Sequence, residues 1–214
     1  MERQEFKALV VEEINGTYQR AIKTKRVNDL PEGDLLIRVH YSSLNYKDAL
    51  SANGNKGVTR KYPHTPGIDA VGTVITSHTA EFEAQDKVIV TGYDLGMNTD
   101  GGFGQCIRVP GEWAIKLPEN LSMKEAMALG TAGLTAGMAV LRIVDEIEPK
   151  DGEIVVSGAT GGVGVLGISL LKKLGYSVTA ITGKVTERNF LLNVGADSVV
   201  MRQEFETIEN KPLL

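Results

Sequence analysis

The residues whose types and spacing most directly suggest chemistry form one run, Ile154-Val155-Val156-Ser157-Gly158-Ala159-Thr160-Gly161-Gly162-Val163-Gly164. A short apolar strand pattern feeds a glycine-dense turn, and an apolar helix pattern follows. Glycine suits this arrangement because the chain must turn tightly, bring bare backbone against a pyrophosphate and press the new helix on the strand. N–H groups left unpaired at the helix start then face phosphate oxygens, and the helix dipole favours their negative charge. The pattern predicts a nucleotide site centred on Gly161, Gly162, Val163 and Gly164, against the plainer alternative of an ordinary glycine turn.

The end of the next strand indicates which nucleotide. A site for NAD commonly places a carboxylate there to accept from the adenine ribose hydroxyls. This chain has Thr182-Gly183-Lys184 instead, with Arg188 shortly after. A lysine and a nearby hydroxyl suit an additional 2′-phosphate, which a carboxylate would repel. In a 3-2-1 strand order the third strand lies beside the second, so Arg202, just past its end, could reach the same phosphate. The expected cofactor is NADPH; the alternative is a set of solvated surface cations.

These groups need a frame. Val163, Leu166, Leu170 and Leu174 recur along one helical face, Lys172 and Lys173 occupy the last turn, and Gly175 follows as a cap. Ser177–Thr182 reads as a second strand, Thr186 as the cap of a helix ending near Gly195, and Ser198–Met201 as a third strand. The result is βαβαβ, the first half of a doubly wound sheet. Upstream, Phe6–Val11 and Tyr18–Ile22 pair through an Asn15-Gly16 turn. Leu35–Tyr41, Val71–Ile75 and Lys87–Val90 continue a β-rich series. Ser122-Met123-Lys124-Glu125 is a capping box that starts a helix at Met123, and small residues over Thr131–Leu141 permit close helix packing. The expected fold class is therefore α/β, with a β-rich domain over residues 1–121 and a nucleotide-binding domain over 122–214.

Composition narrows the partners. A net charge of −4 with no basic stripe argues against nucleic acid or an anionic membrane. Cys106 is the only cysteine, so no intrachain disulfide and no Cys-based structural zinc site can form. His40, His64 and His78 are scattered without ligand spacing, and no metal is expected. The opening Met1–Phe6 is charged, unlike a secretory signal, and no stretch looks long and apolar enough to span a bilayer. A cytoplasmic protein is expected.

Five segments occur together and in order: Asn45-Tyr46-Lys47-Asp48, Pro66-Gly67-Ile68-Asp69-Ala70-Val71-Gly72, Thr99-Asp100-Gly101-Gly102-Phe103-Gly104-Gln105, Gly130-Thr131-Ala132-Gly133-Leu134-Thr135-Ala136 and the turn Gly158–Gly164. With them the whole chain resembles the medium-chain dehydrogenase/reductase superfamily, in its zinc-free quinone oxidoreductase and acryloyl-CoA reductase branch. The resemblance implies a GroES-like catalytic domain followed by a Rossmann domain with NADPH. It also implies reduction, without zinc, of an activated carbon–carbon double bond in an enoyl thioester such as acryloyl-CoA, or of a quinone. Zinc alcohol dehydrogenases carry Gly-His-Glu where this chain has Gly67-Ile68-Asp69, and isoleucine cannot ligate a metal.

By the same resemblance Tyr46 lies beside the nicotinamide with Asn45 and Asp69 nearby, and Thr135 joins the cofactor-binding residues. Tyr46 could bind cofactor, polarise the acceptor carbonyl or donate the proton. The bland alternatives are a packed tyrosine, a turn asparagine, and caps at Asp48 and Asp69. A catalytically inactive nucleotide-binding or sensing protein of the same fold is the other functional class. Because a doubly wound sheet has a second half, a chain ending at Leu214 after three strands reads as a truncated version of a longer enzyme. The strand at Ile154 would then be an apolar edge that a homodimer could cover, and residues 1–214 alone would oxidise NADPH poorly.

Overall fold

The structure, a computed structural model, describes residues 5–206; Met1–Gln4 of the charged opening and residues 207–214, including the terminal Leu214, lie outside the described residues. The chain divides into two compact units, Met1–Thr131 and Ala132–Leu214. The change of pattern near residue 121 marks the start of a helix, and the division falls inside that helix.

The first unit is β-rich. Strands β1 (Glu5–Ile14) and β2 (Thr17–Arg26) form an antiparallel ribbon in which Ile14 pairs with Thr17. Asn15 and Gly16 both take positive φ in the connecting turn, as a two-residue hairpin with right-handed strand twist requires. Five further strands, β3 (Leu35–Tyr41), β4 (Asp69–Ser77), β5 (Lys87–Thr91), β6 (Cys106–Val109) and β7 (Ala114–Lys116), make an antiparallel sheet of order β6-β3-β4-β5-β7. Alternate residues Leu35, Ile37, Val74, Val88, Val90, Ile107 and Val109 fill its core. The ribbon has its own apolar cluster, where Phe6, Ala8 and Val10 pack with Val27, Leu30 and Leu36. Between β3 and β4 the segment expected only as a motif forms a short helix, α1 (Tyr46–Ala52).

Helix α2 (Met123–Glu146) starts as expected: Glu125 N–H donates to Ser122 Oγ at 3.2 Å, and Ser122 N–H donates to the Glu125 carboxylate at 2.9 Å. It is not one continuous helix, however, because Gly130 sits at φ 52°, ψ −154°. By length and composition α2 is apolar enough to cross a membrane, contrary to the sequence expectation. The break leaves neither side with the ~20 helical residues a span needs. Ala126 and Met127, before the break, are buried against Val71 in the first unit.

The second unit contains the remainder of α2, then β8 (Glu153–Val156), α3 (Gly162–Lys173), β9 (Ser177–Thr182), α4 (Arg188–Val194), β10 (Ser198–Met201) and α5 (Arg202–Glu206). Its strands are parallel in the order β10-β9-β8, the 3-2-1 order expected. Two local readings are corrected. The buried face of α3 is Gly164, Gly167, Ile168 and Leu171, while Val163 and Leu174 are exposed. The helix is apolar nearly all round, so periodicity alone does not choose its buried face. Thr186 does not cap α4; it lies in a short 3₁₀ turn, Val185–Glu187, and its hydroxyl meets the Glu187 carboxylate instead.

His64 is buried in the first unit, where its Nε2 is 2.9 Å from the Gly96 carbonyl. Burial pushes the imidazole below its ordinary 6.5, with the Gly96 carbonyl and nearby Asp100 pulling the other way. The unfolded chain therefore binds a proton first as pH falls. Stability present above about pH 6.5 is lost as pH drops toward the lowered folded value. Urea unfolding of wild type and His64→Gln at pH 7.5 and 5.5 should show the variant losing less stability over that interval; equal losses would exclude His64 as a source of the slope.

Candidate active site and nucleotide turn

The first candidate centre is built around Asp69, the first residue of β4, which is fully buried. Its Oδ2 accepts from Asn45 Nδ2 at 2.8 Å, from Thr131 N–H at 3.0 Å and from the Ser43 hydroxyl; its Oδ1 accepts from Thr131 Oγ1 at 2.7 Å. Asn45 precedes α1, and its Nδ2 also reaches Ser43 Oγ at 2.8 Å. Asp48, inside α1 and buried, accepts from Asn45 N–H at 2.7 Å and from Ile68 N–H at 2.9 Å. Burial raises the Asp48 pKa above the usual carboxylate value, opposed chiefly by those two backbone donors.

Two other segments bring Asp69 into place. Phe103 N–H donates to Pro66 O at 3.0 Å and Gly102 N–H to Gly67 O at 2.8 Å, so the backbones of residues 66–69 and 101–103 lie in contact. A Cβ on Gly102 would stand 2.3 Å from the Asp69 carbonyl oxygen, which explains glycine there. The Ser42 hydroxyl donates to that same carbonyl at 2.6 Å. At Gly130 the positive φ turns the Thr131 N–H toward Asp69, and a Cβ would meet Asp69 Oδ2 at 2.8 Å.

Tyr46, the first residue of α1, is 81% exposed beside this buried network. The structure therefore brings Asn45 and Asp69 together, and presents Tyr46 to solvent at the edge of the same unit. Sequence reasoning missed Ser43, which carries no pattern of its own. It noted Thr131 within a run of small residues and in the Gly130–Ala136 segment of the resemblance, without giving it a role. The signal for Thr131 was the glycine before it inside a helical pattern, a mark of a break.

The second centre is the glycine turn of the second unit. Gly158 has φ +60°, Gly161 N–H donates to Gly158 O at 2.9 Å, and α3 begins at Gly162 with no side-chain cap. A Cβ on Gly164 would lie 2.5 Å from the Gly158 carbonyl oxygen, so glycine lets α3 press on the turn. Val163 is exposed there, and an apolar groove of about 500 Å³ beside the turn is lined by Ala136, Val140, Val155 and Val163. Val155 on the edge strand β8 is half exposed. Thr135 is exposed on α2 in the same unit.

At the end of β9, Thr182 is buried and its hydroxyl accepts from Lys184 N–H at 3.0 Å. Gly183 has the Arg202 guanidinium carbon 4.0 Å from where its Cβ would be, so Thr182, Gly183, Lys184 and Arg202 do converge. Lys184 and Arg202 are exposed and have no ion-pair partner among the described residues. Arg188 does not join them; its Nη1 donates to the Val199 carbonyl at 2.9 Å. No group of three or more His, Cys, Asp and Glu placed to hold a metal occurs among the described residues.

A GroES-like β unit followed by a parallel βαβαβ unit is the fold of the medium-chain dehydrogenase/reductase proteins. Residues 31–119 match the alcohol dehydrogenase GroES-like domain family. The chain is 43% identical over 209 residues to the probable acrylyl-CoA reductase AcuI of Escherichia coli, covering 97% of this chain and 64% of that protein. It is 43% identical to the putative quinone oxidoreductase YhfP of Bacillus subtilis, over 93% of this chain and 61% of the relative. The structure of YhdH from Salmonella enterica in complex with NADP matches with a TM-score of 0.93 at 42% identity, covering 97% of this chain and 64% of that one. The chain is thus similar, over nearly all of its length, to members of this quinone oxidoreductase and acrylyl-CoA reductase branch. It spans less than two thirds of the length of these relatives.

Gly164→Ala should drive a methyl into the Gly158 carbonyl and lift α3 from its turn, lowering the stability of the second unit by about 1–3 kcal/mol. Urea unfolding followed through amide signals of α3 and β9 measures this. Unchanged midpoints would show that the turn gives way without loss.

Proposed function

We propose that these residues are the catalytic domain and the first half of the nucleotide-binding domain of an NADPH-dependent reductase. Residues 1–121 form the catalytic domain and residues 122–214 the NADP-binding one. Its acceptor is the activated double bond of an enoyl thioester such as acryloyl-CoA, or a quinone, and zinc takes no part. One observation carries the reading. The strand end where a carboxylate would accept from a ribose instead presents Lys184 and, beside Gly183, Arg202, both without an ion-pair partner among the described residues. The YhdH complex with NADP supports it.

The residues present fit the cofactor. Backbone N–H groups of Gly162, Val163 and Gly164, at a helix start without a side-chain cap, suit its pyrophosphate, and Lys184 and Arg202 suit its 2′-phosphate. NADPH, when bound, supplies a hydride. This chain's part is then to orient the acceptor and manage a proton. Tyr46 is the exposed polar group beside the buried Asn45–Asp69 network, able to hydrogen-bond an acceptor carbonyl or give up its phenolic proton. Metal chemistry is disfavoured by residue type, because Ile68 has no ligating atom and its apolar side chain is buried.

The test is NADPH oxidation with acryloyl-CoA and with a soluble quinone, against matched NADH controls. It is run on residues 1–214 and on these residues continued by the C-terminal part of AcuI. Cofactor binding by both proteins without reduction of either acceptor would favour a nucleotide-sensing role. In titrations, Lys184→Glu should weaken NADPH by about 2 kcal/mol more than NADH, since a charge-assisted contact becomes a repulsion. Equal loss for both cofactors would remove Lys184 from the site. Tyr46→Phe should lower turnover by roughly tenfold or more while leaving the cofactor dissociation constant nearly unchanged. A loss confined to cofactor binding would make Tyr46 a cofactor contact instead.

A further inference from the structure

The Asp69 carboxylate lies at the centre of the first site, yet its geometry does not suit a group that exchanges protons with a substrate. It is fully buried, and four protein donors converge on it: the Ser43 hydroxyl, Asn45 Nδ2, Thr131 N–H and the Thr131 hydroxyl. These donors come from the β3–α1 connection and from the break in α2. Asp48 closes a second loop through the same residues, taking Asn45 N–H on one oxygen and Ile68 N–H on the other. Asn45 is thus gripped twice, by its side chain to Asp69 and by its backbone to Asp48. The residue that follows it is Tyr46.

We propose that Asp69 is a positioning residue, which with Ser43, Thr131 and Asp48 fixes Asn45 and so sets where α1 begins and where Tyr46 points. The inference rests on the reading of Tyr46 as the residue that meets the acceptor. It assigns Ser43 and Thr131 a part in that site. The break at Gly130 belongs to the same device. A continuous helix would tie the Thr131 N–H to a carbonyl four residues back, whereas the break frees it for Asp69. An asparagine there would keep one accepting oxygen but lose the charge that the donors meet, and its amide N–H would have only the Thr131 hydroxyl, turned round as an acceptor, to donate to.

The test reads Tyr46 directly and uses no turnover, so it stands or falls independently of the reductase assay. Residues 1–214 are labelled with 3-fluorotyrosine, and the Tyr46 fluorine resonance is assigned by its disappearance in Tyr46→Phe. Asp69→Asn should displace or broaden that resonance and speed exchange of the Thr131 amide proton by about tenfold or more, the loss expected for a hydrogen bond to a charged group. Thr131→Val and Ser43→Ala each remove one donor and keep the carboxylate, so each should displace the resonance by less. Thr131→Ser, which restores the hydroxyl, should return it to the wild-type position. Should Asp69→Asn not fold, the Thr131 and Ser43 series decides alone. A Tyr46 resonance indifferent to Thr131→Val, Ser43→Ala and any folded Asp69→Asn would overturn the proposal.

Discussion

The buried carboxylate of Asp69 is the interaction on which the first unit's site depends. A carboxylate removed from water costs several kcal/mol unless its lone pairs are filled, and four donors fill them here. That requirement determines several neighbouring choices at once. Ser43 and Asn45 supply donors from one side and Thr131 from the other. Removing any of them leaves a charged oxygen short of a partner in a place water does not reach, so the arrangement is stiff in the sense that its alternatives are expensive.

Glycines make the approach possible. Gly102 allows its turn to lie on the Asp69 carbonyl, and Gly130 both turns the Thr131 N–H inward and leaves room for the carboxylate. At both glycines the backbone is packed too closely to admit a side chain. Their cost in unfolded-state entropy is offset by hydrogen bonds such as Gly101 N–H to Thr65 O at 2.7 Å.

The second unit works by different physics. Its glycine turn is made of backbone, with Gly164 pressing α3 onto Gly158, and needs no buried charge. The exposed cations proposed to select the cofactor stand at the end of β9, where strand order puts Arg202 beside Gly183. β8 remains an edge among the described residues, with Val155 half exposed and an apolar groove alongside. An edge of this kind invites pairing with further strand. The relatives are longer than this chain.

Local pattern determined much of this protein. The Asn15-Gly16 hairpin, the Ser122–Glu125 capping box and the glycine turn depend on contacts within a few residues, the βαβαβ order follows from the local pattern of each element in turn, and each was legible in the sequence. The meeting of Thr182, Gly183, Lys184 and Arg202 was legible too, because parallel strand order makes it a topological consequence. The Asp69 network was not. The resemblance put Asn45 and Asp69 in one neighbourhood, but Asp69 is distant in the chain from Ser43 and Asn45 on one side and from Thr131 on the other, and a buried carboxylate selects its donors by position in space rather than by spacing. The buried stripe of α3 and the break at Gly130 were likewise decided by packing. A helix apolar on nearly every side has no preferred face until the sheet provides one, and a glycine inside a helical pattern breaks only when something offers its neighbour's N–H a better acceptor.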